Sequence, residues 1–355
     1  MQDASDQTKP WEEYVQTAFN TGAAFNIVGN QTKSFLGQSS ELPVLSVNSH
    51  FGVIDYEPTE LVITARTGTP VNTLKQVLDA EGQMMPFEPP VFGDSDTLGG
   101  VMACGLSGPR RMYAGSARDY VLGVRLINGR GESLRFGGEV MKNVAGYDVS
   151  RLQIGAMGTL GLLLDVSMKV LPKPEVELTL VRENSVVNDT SPLVALARQP
   201  LPLSASAVLG KQCWIRLSGS KQSVDAAASE LGGDTVSDGD AFWDSISSHQ
   251  HPYFAGDGHL WRISVAEYAP ELQLPGEWLY EWGGAQRWLV TDAPAMEVFS
   301  VCEKAGAHAT RYRGDNEGAP CFQPLKNPML QLHQRLRAAF DPAGLFNPGR
   351  FHPDF

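Results

Sequence analysis

Apolar residues recur along this chain in two rhythms, one helical and one of strands. After Pro10, Trp11, Tyr14, Val15, Ala18 and Phe19 fall at i, i+3, i+4 and i+7 spacing and Gly22 follows, which predicts an amphipathic helix with a glycine stop. Phe25–Val28, Val44–Val47 and Leu61–Ala65 are short β-type runs. Thr69-Pro70 predicts an N-cap and a first helical proline for a helix that buries Val71, Leu74, Val77 and Leu78 and ends at Gly82. Val121–Ile127 and Ser133–Phe136 predict two strands joined through Asn128-Gly129-Arg130-Gly131. Leu160–Val170 predicts a long buried strand, ended by Leu171-Pro172-Lys173-Pro174 because two prolines stop regular pairing.

Beyond those prolines the pattern changes. Strand-like runs at Cys213–Leu217, Leu260–Val265, Trp278–Trp282 and Arg287–Val290 alternate with helix candidates at Ser223–Leu231 and Pro294–Lys304, the signature of an antiparallel α+β domain. Asn327-Pro328 opens a last amphipathic helix through Met329, Leu332, Leu336 and Phe340, which Asp341-Pro342 breaks before an Asn347-Pro348-Gly349 turn. The expected organisation is therefore residues 1–174, residues 175–325, and a C-terminal helix and turn at residues 326–355 packing back toward the first domain.

Composition narrows the function. With 28 basic and 40 acidic residues the chain carries a net charge of −12, which disfavours a nucleic-acid surface or a polybasic membrane anchor. The polar N-terminus lacks the apolar core of a signal peptide, and the four cysteines (Cys104, Cys213, Cys302, Cys321) show no metal or cluster spacing. These point to a cytoplasmic protein with reduced thiols and no metal, whose membrane contact, if any, is peripheral. Six of the seven tryptophans follow residue 210, and the segment around Trp278–Trp288 is a candidate interface, with a core role for these tryptophans the equal alternative. The most informative count is glycine: 15 of 36 lie between Gly93 and Gly161.

Three glycine-bearing segments carry candidate chemistry. In the first, Val28-Gly29-Asn30-Gln31-Thr32-Lys33-Ser34, small residues after a strand let successive amides converge on an anion, with Lys33 adding charge; an ordinary strand-to-loop turn is the competing reading. The second runs from Asp94 through Thr97-Leu98-Gly99-Gly100, Ala103, Ser107-Gly108, Arg110-Arg111 and Tyr113 to Arg118-Asp119, where missing side chains let a pyrophosphate or flat ring lie against the main chain. The third contains Gly146-Tyr147 and then Gly158-Thr159 and Gly161 ahead of the strand holding Val166. Its G-x-x-G-x-x-G spacing precedes a strand, unlike the Rossmann fingerprint, and no ATP-type phosphate loop exists.

Thr97-Leu-Gly-Gly100, Arg118-Asp119, Gly146-Tyr147-Asp148 and Gly158-Thr159-Leu-Gly161, in this order, resemble the FAD-binding domain of the vanillyl-alcohol oxidase/PCMH superfamily. The resemblance implies an α+β protein: a PCMH-type FAD-binding domain of two α/β subdomains, then an antiparallel α+β cap. It implies FAD between the subdomains, its pyrophosphate on amides of Gly29–Ser34 and Thr97–Gly100. The first loop has Gln31-Thr32-Lys33 where many members attach FAD to a histidine, so non-covalent FAD is expected.

Leu260-Trp-Arg262, Trp282-Gly-Gly-Ala-Gln-Arg-Trp288 and Phe340-Asp-Pro-Ala-Gly-Leu-Phe-Asn-Pro-Gly-Arg350 further resemble the E-subunit family of bacterial glycolate oxidases. That resemblance implies a subunit working beside a larger flavoprotein subunit and an iron–sulfur subunit on a small 2-hydroxy acid. Gly256-Asp257-Gly258-His259 is similar to part of the histidine metal group of relatives that oxidise such acids, but Leu260-Trp261-Arg262 stands where the second ligand belongs. If this chain handles substrate itself, the candidates are Arg262 and Arg287 for the carboxylate and His259 for the proton, with His333 behind them. The alternatives are a stand-alone FAD-dependent D-lactate-type dehydrogenase, an FAD- and NADPH-dependent reductase, or a non-catalytic subunit that keeps the fold.

Overall fold

A computed structural model describes residues 6–38, 40–138, 148–266, 269–314, 318–353 and 355. The elements begin with α1 (Thr8–Thr21), β1 (Asn26–Val28), β2 (Val44–Ser46), β3 (Val53–Glu57), β4 (Val62–Arg66), α2 (Val71–Asp79), β5 (Gln83–Met84) and α3 (Leu98–Cys104). They continue with α4 (Arg111–Ala114), α5 (Ala117–Tyr120), β6 (Val121–Ile127), β7 (Ser133–Gly137), α6 (Val149–Leu152), β8 (Leu162–Lys169) and β9 (Leu171–Pro172). Then come β10 (Val176–Glu183), α7 (Ser191–Ala197), β11 (Leu203–Leu209), β12 (Gln212–Gly219), α8 (Lys221–Leu231), β13 (Asp234–Thr235) and α9 (Gly239–Ser247). The last are β14 (His259–Ser264), β15 (Glu277–Glu281), β16 (Gln286–Thr291), α10 (Ala295–Lys304), β17 (His308–Arg313) and α11 (Met329–Phe340).

Contacts divide the chain into two compact units. The first comprises the described residues of Met1–Leu106, Ser116–Pro172 and Pro324–Phe355; the second, Ser107–Gly115 and Lys173–Gln323. Antiparallel strands in the order β3-β4-β8-β6-β7 form the main sheet of the first unit. Its strand β8 is buried at every position but the last, because both faces are covered. On one face α2 and α3 pack Leu74, Leu78, Leu98 and Met102 against Ile63, Val124 and Val166. On the other, Trp11, Val15 and Ala18 of α1 meet Leu162 and Leu164 together with Phe25, Leu345 and Phe346. A separate parallel pair, β1 and β2, delivers the chain to the glycine loop at residue 29.

Local rules explain most element ends. Gly22 closes α1 in the left-handed conformation, φ 67°. Thr69 takes another role than the expected cap: its hydroxyl receives the Gly52 amide at 2.8 Å, and α2 starts after Pro70. Strand β3 falls outside the sequence expectation because its pattern lacks a clean period of two: Val53 and Tyr56 are half-buried, the other three residues are exposed, and a bulge lies between Val53 and Asp55.

The second unit is an eight-stranded antiparallel sheet ordered β13-β10-β12-β11-β15-β16-β14-β17. Helices α8 and α10 cover one face through Val224, Ala227, Val298 and Phe299, against Ile215, Trp261, Ile263 and Leu289. Trp278, Trp282 and Trp288 are only 6%, 6% and 4% exposed, so of the two readings open for them, interface or core, the fold takes the core. Trp282 also lies just outside β15, in a tight turn.

Candidate cofactor site

The first glycine loop leaves β1 at Val28 and tightens through Gln31, which holds φ 58°, so that the Ser34 amide reaches the Gln31 carbonyl at 3.1 Å. Among the described residues no acceptor within the chain bonds the amides of Gly29 through Lys33, a run in which Lys33 is buried, Gly29 and Thr32 are half-buried, and Asn30 and Gln31 are exposed. These residues line a cleft of about 210 Å³, walled also by Thr97, Gly100, Ala103, Cys104, Met157, Asn347 and Arg350. A smaller recess of about 60 Å³ shares Gly29, Gly100, Ala103, Met157 and Asn347 and continues to Gly99, Gly158 and Gly161.

Asp96 ties this loop to the second one. Its carboxylate accepts from the Thr32 hydroxyl and, at 2.8 Å, from the Phe92 amide, and it pairs with Lys33 Nζ at 2.8 Å. Asn30 Nδ2 adds a bond to the Ser95 carbonyl at 2.6 Å. Gly29 is required by proximity: a Cβ there would lie 2.4 Å from Thr97 Oγ1.

The structure divides the roles expected of the two loops. At the start of α3, the Leu98 amide bonds Thr69 O at 2.9 Å, Gly99 bonds Thr67 O at 2.7 Å, and Gly100 meets Thr97 Oγ1 at 3.2 Å. Those donors are spent, so Thr97 to Gly100 shape the wall while the first loop supplies the free amides. Leu98 and Val166 point into the core, both fully buried.

The C-terminal turn contributes two residues the sequence reasoning did not place in the site. Asn347 accepts from the Ile27 amide and donates to Met157 O, both at 2.8 Å, and Arg350 Nη2 donates to Lys33 O at 3.2 Å. Gly158 (φ 69°) lies so close to Asn347 that a Cβ would come within 2.6 Å of Nδ2. The Asn347-Pro-Gly-Arg350 motif was the available signal. Cys104 lines the cleft as a protonated thiol, since burial pushes it up to about 11.

Other predicted residues have different surroundings. Gly146 and Tyr147 lie outside the described residues. Thr159 is buried and donates to Ala156 O, Arg118 donates to Ile154 O, and Asp119 accepts from the amide of the N-cap residue Ser116. Ser107, Gly108, Arg110, Arg111 and Tyr113 belong to the second unit. There Arg110 binds Glu177 and Ser218, Tyr113 donates to Ser206, Trp282 Nε1 donates to Gly108 O at 3.0 Å, and Arg111 covers the Trp282 ring at 4.6 Å.

The three catalytic candidates do not converge. Arg262 pairs across strands with Trp288, and Ile263 with Arg287, so the two arginines face opposite sides of the sheet. Arg287 lies on the helix-covered side and is consumed by the carbonyls of Gly284, Pro270 and Ala269. Arg262 is positioned by a relay: its Nε donates to Gln286 Oε1 at 2.6 Å, and Gln286 and Trp288 Nε1 both donate to Glu281 Oε2, at 2.9 and 2.6 Å. Burial raises the Glu281 carboxyl, against the hydrogen bonds that favour its charge. The terminal nitrogens of Arg262 have no acceptor among the described residues, and its guanidinium lies 5.3 Å from the Trp282 ring centre. His259 is pressed against Gly314, its Nδ1 buried without a partner, and His333 stacks on Phe351. Among the described residues no group of three or more His, Cys, Asp or Glu is arranged to hold a metal ion.

Comparison with known proteins adds the family. The model of an FAD-binding domain matches residues 8–137. "Glycolate oxidase subunit GlcE" of Escherichia coli is 46% identical over 349 residues, 98% of each chain. "Glycolate oxidase subunit GlcD" of Bacillus subtilis is 33% identical over 36% of this chain and 27% of its own, and a D-lactate dehydrogenase of Anaerostipes hadrus is 29% identical over 45% and 32%. In fold, alkyldihydroxyacetonephosphate synthase superposes on 96% of this chain and 75% of its own with a TM-score of 0.66 at 15% identity. With near-complete coverage at this identity, the chain belongs to the E-subunit family of bacterial glycolate oxidases, FAD-linked oxidoreductases with a PCMH-type FAD-binding domain.

Proposed function

We propose that the chain binds FAD non-covalently in the cleft of its first unit. In this reading it acts as the FAD-binding subunit of a complex that oxidises glycolate to glyoxylate, with electrons passing to an iron–sulfur partner subunit beside a larger flavoprotein subunit. Residues 1–174 and 326–355 would hold the cofactor and residues 175–325 form the cap. The observation that carries this is that Gly29–Lys33, whose amides have no acceptor within the chain among the described residues, line a glycine-walled cleft in a chain 46% identical over 98% of its length to a glycolate oxidase subunit.

The residues present fit that cofactor. A pyrophosphate needs converging N–H donors, which the first loop can supply, and a flat ring system needs close main-chain approach, which Gly99, Gly100, Gly158 and Gly161 allow. When bound, FAD supplies the acceptor for the two electrons leaving the substrate. The first loop has no histidine and the Cys104 thiol is held protonated, so neither offers a covalent tether. We assign Arg262 the substrate carboxylate, because its terminal nitrogens are both oriented and unspent.

A stand-alone dehydrogenase is less well supported, since the similarity to D-lactate dehydrogenases covers 45% of the chain or less. The test is the absorption spectrum of the purified chain. Flavin bands released intact by denaturation, and bleached by glycolate only once the other subunits are added, support the proposal. A folded, colourless protein that takes up no FAD overturns it, and bleaching by glycolate alone transfers it to the stand-alone reading.

A further inference from the structure

One face of the eight-stranded sheet carries polar groups that the fold itself does not use. Across β14 and β17, Arg262 pairs with Thr310 and Ser264 with His308, so these four side chains share a face. Ile263 and Ala309, which alternate with them, are fully buried in the helix-covered core, so the four lie on the opposite face. Arg262 and Thr310 are half-buried there, and Ser264 and His308 are exposed. Ser264 also pairs with Gln286 of β16, so Gln286, Ser264 and His308 form one row across three strands. By donating its Nε to Gln286, Arg262 extends its guanidinium toward that row. His308 is its diagonal neighbour on β17, a spacing of about 7–8 Å between backbones that long side chains bridge.

The groups that meet here are unspent. Besides the terminal nitrogens of Arg262, neither the His308 ring nor the Thr310 hydroxyl makes a hydrogen bond among the described residues. Desolvation of the His308 ring, and then the charge of Arg262, lower its pKa below the ordinary imidazole value. Near neutral pH the ring therefore carries one N–H and one bare nitrogen and no charge. A fixed guanidinium receives a carboxylate in bidentate fashion, and a bare imidazole nitrogen receives a hydroxyl hydrogen. A 2-hydroxy acid bears those two groups on adjacent carbons and meets both receptors at once. A second carboxylate in place of the hydroxyl would call for a second cation, which a neutral ring does not offer.

We propose that His308 is the second anchor of a two-point site for a small 2-hydroxy acid, in which Arg262 holds the carboxylate, Thr310 stands beside it, and His308 accepts the hydrogen bond of the 2-hydroxyl. This rests on the assignment of Arg262 to the substrate carboxylate. The test compares glycolate with acetate, which keeps the carboxylate and lacks the hydroxyl. Both are titrated by calorimetry into the full-length, FAD-loaded chain with its flavin held reduced, so that binding is read without turnover. The parent should bind glycolate about tenfold more tightly than acetate, the worth of one hydrogen bond. His308→Phe should lower glycolate affinity to that of acetate and leave acetate unchanged, and His308→Gln, which keeps an acceptor, should restore part of the preference. Arg262→Met should weaken both acids at least tenfold. Flavin content and thermal midpoint of the His308 variants should match the parent, since the side chain is exposed.

A parent that does not prefer glycolate, or a His308→Phe chain that keeps the parent's preference, overturns His308 as the anchor; loss of both acids in Arg262→Met then leaves the carboxylate assignment standing. Unchanged affinity for both acids in Arg262→Met, or a parent that binds neither acid, overturns that assignment and this proposal together.

Discussion

Lys33 and Asp96 form an ion pair of 2.8 Å in which the side chains are 6% and 1% exposed, joining the two loops that wall the candidate FAD cleft. A charge pair so deeply buried is costly to break, because removing one partner strands the other away from water. Lys33→Met should therefore destabilise the chain by about 3 kcal/mol and lower FAD affinity at least tenfold. Lys33→Met/Asp96→Asn should cost clearly less than the sum of the single changes. Urea unfolding and flavin fluorescence titration of the four proteins give the cycle; additive losses would show that the pair does not act as one unit.

The approach of Gly29 to Thr97 yields a sharper steric test. A methyl group on Gly29 would sit 2.4 Å from Thr97 Oγ1 but 3.4 Å from Thr97 Cβ, an ordinary contact. Gly29→Ala should empty the cleft of FAD by displacing the free amides. Adding Thr97→Ala should restore much of the binding, less about 1 kcal/mol of stability for the lost cap of α3. Cofactor content per chain after gel filtration reads both effects, and no recovery in the double variant would place the fault elsewhere.

These two relationships show where sequence reasoning reached and where it stopped. Helix α1, with its left-handed Gly22, and strand β8 were legible because a single period and local stop signals determine them. The first loop was legible as a candidate anion cradle because its residues are contiguous. Asp96 was passed over because its partners, Thr32, Lys33 and Phe92, meet only after folding. Asn347 and Arg350 were missed as wall residues for the same reason, more than 300 positions from Ile27 and Lys33. Arg110 read as a charge for the cofactor, yet the fold spends it on Glu177 and Ser218, a commitment that no local pattern announces.

Arg262 gives a functional prediction. Because Gln286 and Glu281 fix its Nε side, substitution should act on substrate rather than on cofactor. In the assembled complex, Arg262→Met should raise KM for glycolate at least tenfold with flavin content unchanged, and Glu281→Gln should raise it less, since Arg262 keeps its charge and loses only its support. Steady-state kinetics with glycolate settle it; a KM equal to the parent's in Arg262→Met would move substrate recognition to another subunit.

His249 predicts the acid limb of stability. Its ring stacks on Phe254 at 4.4 Å and meets the edge of Trp288 at 4.6 Å, and burial, with the charges of Arg262 and Arg313, lowers it from 6.5 to about 3. The folded state thus binds the ring in neutral form, while the unfolded chain takes up a proton near pH 6.5. Between those two values the unfolded state holds more protons, so stability rises with pH and is lost as pH falls below 6.5. The slope from this one group is about 1.4 kcal/mol per pH unit. His249→Phe keeps an aromatic ring without the titration, so its urea midpoint should change much less than the parent's between pH 6.5 and 5 while the two remain close at pH 8. An identical pH dependence in parent and variant would show that His249 titrates as freely in the folded protein as in the unfolded chain.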